Sequence, residues 1–170
     1  MKTIEIRRRD GGLLYVCEAE DMAEAAERAA REGVQMRGAD FYKADLRGAD
    51  LRGAVLSGAD MRRAIMDNAL LDVADLRGAD MRKASLDGAS TVGADLSGAD
   101  LSGASMIETD MNGTKMSGCL MRRAMIGNAR LDGADMSGAD MSGSMVFYTD
   151  LRRAELSGVE LRGAYLVEVN

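Results

Sequence analysis

The sequence predicts an all-β solenoid preceded by a short hairpin and one helix. Three observations carry this. A large apolar residue recurs every five positions from Met36 to Leu166, at 26 of 27 places and without an insertion; Thr91 is the exception. A small residue, usually Ala and otherwise Thr, Val, Ser or Cys, stands two positions before each, most often with Asp between them. The two positions that follow are rich in Ser, Arg, Asp and Gly. A period of five fits neither a helix of 3.6 residues per turn nor a long alternating strand. Repetition at a fixed period is the mark of stacked coils.

The elements follow in chain order, in two parts: residues 1–33 and the repeats of 34–170. TIEIRRR, then DGG, then LLYVCEA reads as a β-hairpin. Asp21 with Glu24 three residues on reads as the capping box of a helix, DMAEAAERAARE, stopped at Gly33. Met22, Ala25, Ala26, Ala29 and Ala30 form a small apolar stripe that can lie over the first coil. The hairpin and helix are therefore expected to cap the solenoid. A separate binding role for the basic run Arg7, Arg8 and Arg9 stays open.

Within each repeat the logic is that of a strand. The small residue and the large centre are two apart and share the inner face, while the residue between points outward. The following pair turns a corner. Sorting the outward positions modulo 20 gives columns of different character. The column Asp45, Ile65, Ser85, Ser105, Met125, Met145, Tyr165 lacks an acid in six of seven places. The column Asp40, Asp60, Asp80, Asp100, Leu120, Asp140, Glu160 lacks one only once. Such segregation is expected if four sides make a coil and residues 20 apart stack.

ADLRG at 44–48, ADLRG at 49–53 and ADLSG at 94–98 resemble the pentapeptide-repeat family, whose consensus is A-(D/N)-L-X-X. The resemblance covers about four fifths of the chain. It implies a right-handed quadrilateral β-helix with four pentapeptides per coil. The 27 repeats would then make nearly seven coils, a rod of roughly 30–35 Å at ~4.8 Å per strand.

The C-terminal repeats run in register to LRGAYLVEVN, and no cap is legible there. The acid-poor face grows apolar in this region, through AMIGN, SMVFY and AYLVE. Met145, Phe147, Tyr148, Tyr165 and Val167 are expected to point outward. With Val169 they form the expected interface of a two-fold homodimer, because an exposed apolar patch beside an open sheet end invites pairing.

One band departs from the repeat. In TKMSGCLMRRAMIGNARL, Lys115, Leu120, Met125 and Arg130 replace the acid at four successive outward positions. On a four-sided coil they fall one per face at one level. Arg122 and Arg123 share a face with Leu120. The band is either a partner contact or a region of unconstrained drift.

No catalytic constellation is present. There is no His, the commonest general base. Cys17 and Cys119 have no evident base partner, and Cys119 occupies an inward small position. The acidic column Asp40, Asp60, Asp80, Asp100, Asp140 and Glu160 reads as a solvated face, partly paired with Arg62, Arg63, Arg82, Lys83, Arg122 and Arg123, and not as a metal site. No cofactor motif occurs, and no apolar run reaches membrane-spanning length. The N-terminus lacks the apolar core of a signal peptide, and the two cysteines form no metal-ligand spacing. A reduced cytosolic protein is expected.

The net charge of −6 argues against direct nucleic-acid binding, which needs a basic surface. The residues themselves point to a non-enzymatic protein–protein interaction scaffold. The resemblance implies an alternative: some pentapeptide-repeat proteins mimic B-form DNA and bind DNA gyrase or topoisomerase IV. The repeats carry 20 acids against 16 bases, a weak imbalance for a mimic.

Overall fold

The computed structural model describes all residues, 1–170. Strands β1 (Lys2–Arg7) and β2 (Leu13–Ala19) pair antiparallel, with a register shift between Ile6 and Arg7. The connection closes where the Gly12 N–H donates to Asp10 Oδ1 at 2.9 Å and Gly11 takes φ +89°. A left-handed backbone of that kind suits glycine, which has no Cβ to clash.

Helix α1 (Met22–Arg31) starts where the sequence places it. The Asp21 carboxylate accepts the Glu24 N–H at 2.9 Å, and Glu24 reaches back to the Glu20 N–H at 2.7 Å. The first bond satisfies one of the donors left free at a helix start; the second falls on the residue before the N-cap and not on the Asp21 N–H of a strict capping box. The small stripe splits by depth: Ala25, Ala26 and Ala29 are buried, while Met22 and Ala30 are half-buried. These alanines pack in one core with Ile4, Ile6 and Ala19.

Hairpin and helix both bond to the first coil. Asp40 donates its N–H to Arg7 O at 2.7 Å, and Arg8 bridges Ala39 antiparallel. Glu27 Oε1 accepts the Asp50 N–H at 3.0 Å.

From Gln35 onward the chain winds in four parallel ladders whose partners are 20 residues apart. One runs from Gln35 through Asp75 and Asp95 to Glu155, and the next from Asp40 through Asp80 to Glu160. The third starts at Asp45 and reaches Ser105. It continues as the parallel strands β3 (Ser105–Ile107), β4 (Met125–Gly127), β5 (Met145–Phe147) and β6 (Tyr165–Val167). The fourth joins Asp50, Leu70, Ser90, Asp110, Arg130 and Asp150.

Each corner is a turn. The Ala49 N–H donates to Leu46 O at 3.1 Å, and Gly48 between them has φ +67°. A positive φ at the third place is what a type II turn demands. The outward Asp belongs to the corner as well. Asp60 Oδ1 accepts the Arg62 N–H at 3.2 Å, and Asp95 Oδ1 accepts the Ser97 N–H at 3.0 Å. The carboxylate thus satisfies a backbone donor two residues on, as an Asx turn does.

The centres Met36, Phe41, Leu46 and Leu51 and their successors fill the tube, flanked by buried alanines. Thr114 stands in an Ala slot and meets its bonding need inside, donating to Thr91 O at 2.7 Å. Cys119 does likewise toward Leu96 O at 2.9 Å, and burial pushes its thiol up to about 12. The packing loosens in the last coil. Leu156, Leu161 and Leu166 are 43 %, 43 % and 48 % exposed.

Candidate functional site

Three surfaces gather the unusual side chains. The first is the face of the Asp40–Glu160 ladder. Its residues stack as the modulo-20 pattern implies, but the carboxylates are not a free acidic row. Asp60 holds Arg62 in a two-pronged pair at 2.7 and 2.6 Å, and Arg62 also approaches Asp80 at 3.5 Å. Asp80 holds Arg82 in the same way, and Arg82 reaches toward Asp100 at 3.6 Å. Arg122 has Leu120 where its own acid would be, so it turns to Asp140 on the next coil at 2.5 Å.

The expectation that every acid of this column points into solvent is corrected. Asp60 is 4 % and Asp140 8 % exposed: the Arg62 fork lies across the first, and Arg122 Nε with the Ser142 N–H holds the second. Hydrogen bonds from Ser142, reinforced by Arg122, hold Asp140 down to about 2. For Asp60 and Asp80 the arginine partner is the main cause of a lowered pKa.

The six basic residues read beside the acids also divide in two. Arg62, Arg82 and Arg122 fold onto carboxylates. Arg63, Lys83 and Arg123 stand on the corner with no ion pair. No sequence signal separated them, since the two residues of a corner read alike; the positive φ of the second one aims its side chain differently.

The second surface is the edge where this ladder meets the one through Asp75, Asp95, Asp135 and Glu155. Asp135 accepts the Ser137 N–H and hydroxyl at 3.0 and 2.6 Å, and these bonds lower its pKa. Glu155 accepts the Ser157 N–H at 2.9 Å. Serine leaves the second carboxylate oxygen of Asp135 and Glu155 free, so the upper part of this edge presents unpaired negative charge, whereas Asp75 lower down holds Arg77 at 2.7 and 2.8 Å.

The third surface is apolar. On the β3–β6 sheet, Met125, Met145 and Tyr165 stack in register and are exposed. Tyr148 is exposed beside them and meets the Phe147 ring edge-on at 6.1 Å. Phe147 and Val167 do not stand clear as expected; both are half-buried. The Phe147 ring occupies the space where a Cβ on Gly127, one coil below, would lie. Val169 turns inward. It joins Leu156, Val159, Leu161 and Leu166 around a cavity of about 560 Å³ at the end of the rod. Sequence reasoning singled out Val169 but missed Leu156, Val159, Leu161 and Leu166 because, as regular centres and small positions, they look like core. Their signal was position alone, in the final coil.

Around the departing band, Lys115, Met125 and Arg130 are exposed and Leu120 is half-buried. Lys115 stacks between Asp95 and Asp135. Arg130 lies between Asp110 and Asp150 and approaches Asp110 at 3.3 Å. Each cation thus interrupts a run of like charges.

No group of three or more acidic, cysteine or histidine side chains is placed to hold a metal. No helix is long and apolar enough to cross a membrane.

A family model described as pentapeptide repeats matches eight copies, over residues 32–58, 54–90, 92–123 and 127–145. No curated protein matches the chain. Among solved structures, it is similar to the pentapeptide repeat protein Rfr23 of the cyanobacterium Cyanothece 51142, at 26 % identity and a TM-score of 0.53. That match covers 54 % of this chain and 63 % of the other, so it spans less than two thirds of that protein. A pentapeptide repeat protein of the Arabidopsis thaliana thylakoid lumen is 32 % identical over 56 % of this chain and 63 % of its own, with a TM-score of 0.49. A trypsin-treated form of QnrB1, a plasmid-mediated fluoroquinolone resistance protein, is 25 % identical over 75 % and 77 %, with a TM-score of 0.47. The likeness to Rfr23 is one of fold, that of a pentapeptide-repeat protein. Matched by the family model over well over half its length, and built of five-residue sides stacked 20 apart, the chain belongs to the pentapeptide repeat family.

Proposed function

We propose that this protein is a non-catalytic interaction scaffold that works as a homodimer joined through its C-terminal coils, with the hairpin and helix capping the other end. The supporting observation is the apolar end face. Three leucines of the last coil, buried in every earlier coil, are nearly half exposed, and Val159 and Val169 line the same hollow. Burying a Leu is worth about 1.5–3 kcal/mol, so covering this face is strongly favourable. A second copy suits it because the stacked Met125, Met145 and Tyr165 continue the apolar surface onto the side wall, giving two copies a patch to share about a two-fold axis. Met145, Phe147, Tyr148, Tyr165, Val167 and Val169 belong to this interface. Two unpaired thiols suit a cytosolic setting. Light scattering at micromolar concentration should give twice the chain mass; a monomer there rules the dimer out.

The second reading is a DNA mimic that binds gyrase or topoisomerase IV. The acidic edge favours it, since two neighbouring ladders bring Asp95, Asp100, Asp135, Asp140, Glu155 and Glu160 together. The arginine pairs on Asp60, Asp80 and Asp140 and the gap at Leu120 weigh against it. A supercoiling assay with purified gyrase, with and without a quinolone, decides. Inhibition or protection at micromolar protein supports mimicry; an unchanged assay rejects it.

A further inference from the structure

The corner between the Asp40–Glu160 ladder and the β3–β6 side is basic along the whole rod. Its residues come in seven pairs, from 42–43 to 162–163. Eight of these fourteen residues are Lys or Arg and none is an acid. The second residue of each pair sits at positive φ, where an L side chain is disfavoured and Gly is at ease. The corner before it uses Gly at every level from Gly38 to Gly158. Here Lys43, Arg63, Lys83 and Arg123 take that conformation, at φ 58°, 59°, 60° and 55°. Every departure from Gly in this column is a cation, and none of the four has an ion-pair partner.

The upper part of this corner is a groove of about 650 Å³, with Lys83, Arg123 and Arg162 along it. Ser102, Ser142 and Gly143 also line it. A Cβ on Gly103 would lie 3.4 Å from the Lys83 stem, and one on Gly143 equally close to the Arg123 stem. The glycines thus give both cationic chains room to lie along the rod. Asp100 is the single acid of the lining, occupied by the Ser102 N–H at 3.0 Å and by Arg82.

We propose that this groove binds an acidic polypeptide segment in extended, polyproline-like form. Its cationic levels lie two coils apart, about 9.6 Å at the usual strand spacing. A polyproline II chain repeats its side-chain direction every three residues, about 9.3 Å. A carboxylate at every third residue would meet each level in turn. Nucleic acid fits less well. A single strand wants stacking aromatics, and the lining has none; the Tyr42 ring lies farther down, under Lys43 and Arg62 at 5.1 and 5.2 Å. The inference does not rest on the dimer, because Lys83 and Arg123 lie outside the last coil.

The test uses fluorescence anisotropy at low salt with a labelled peptide of Glu-Pro-Pro repeats. Two probes of equal charge accompany it: a peptide with Glu at every second residue, and oligo-dT. The variant is Lys83→Gly with Arg123→Gly, which gives the backbone the residue that corner prefers and so keeps the fold. We expect binding of the Glu-Pro-Pro peptide at least tenfold tighter than either probe, and at least tenfold weaker in the variant at unchanged thermal midpoint and unchanged mass by light scattering. No peptide binding, an unaffected variant, or equal or tighter binding of either probe overturns the proposal.

Discussion

At the scale of single residues, the outward Asp of the repeat has two jobs. It accepts the backbone N–H two residues on and, where Arg follows, holds that guanidinium, as Asp45 does with Arg47 at 2.8 and 2.5 Å. The sequence showed the Asp but not its bond, because a period announces position and not partner. Exposed pairs of this kind contribute little, about 0–1 kcal/mol, so the corner bond is the firmer reason for Asp. Phe147 shows the limit more sharply. Its depth depends on Gly127, twenty residues away in sequence and one coil away in space. Gly127→Ala should push the ring off the side wall and destabilise the protein by about 1–2 kcal/mol. In a Phe147→Ala background the same change should cost markedly less, since the two sites are coupled. Equal costs in both backgrounds, from urea unfolding, would show that the ring does not rest on that glycine.

At the scale of elements, the four sides were legible and their differences only half so. Segregation of acids modulo 20 gave the count of sides, which the ladders display. It did not show that the acid-poor side widens into three-residue strands. The physical cause lies in its later corners. Ile107 and Phe147 favour extended backbone. The chain there pairs through three residues where the other sides pair through one. Handedness was not legible from spacing, since a five-residue period is blind to the sense of winding. The band at Lys115–Arg130 belongs to this scale too. Leu120→Asp with Met125→Asp should leave the far-UV spectrum and thermal midpoint within a few degrees of the parent, because both restore the common outward residue. Arg122 then gains an acid on its own rung. If dimer mass and partner capture are also unchanged, the band is drift; loss of either marks it as a contact.

At the scale of the whole molecule, the two ends differ in kind. The hairpin and α1 bond to the first coil and share its buried core; the last coil shows its leucines. The end was legible as apolar in sequence, yet the residues singled out lay mostly on the side wall. Leucines in register read as core wherever they fall, and only the stack reveals that these three are its last layer. Leu161→Asp puts a charge on that layer. It should convert a dimer to a monomer by light scattering while the β-sheet spectrum persists, because the residue is already 43 % exposed. A dimer that survives the substitution places the contact elsewhere. The basic corner and the acidic edge have a consequence of their own. They flank one face, so the rod carries a sideways dipole whose two halves nearly cancel at a distance. Beyond about 8 Å at physiological salt even that residue is screened. An approaching partner is therefore not drawn in from afar. It feels a torque only near contact, which would roll the rod about its long axis until one edge or the other is presented.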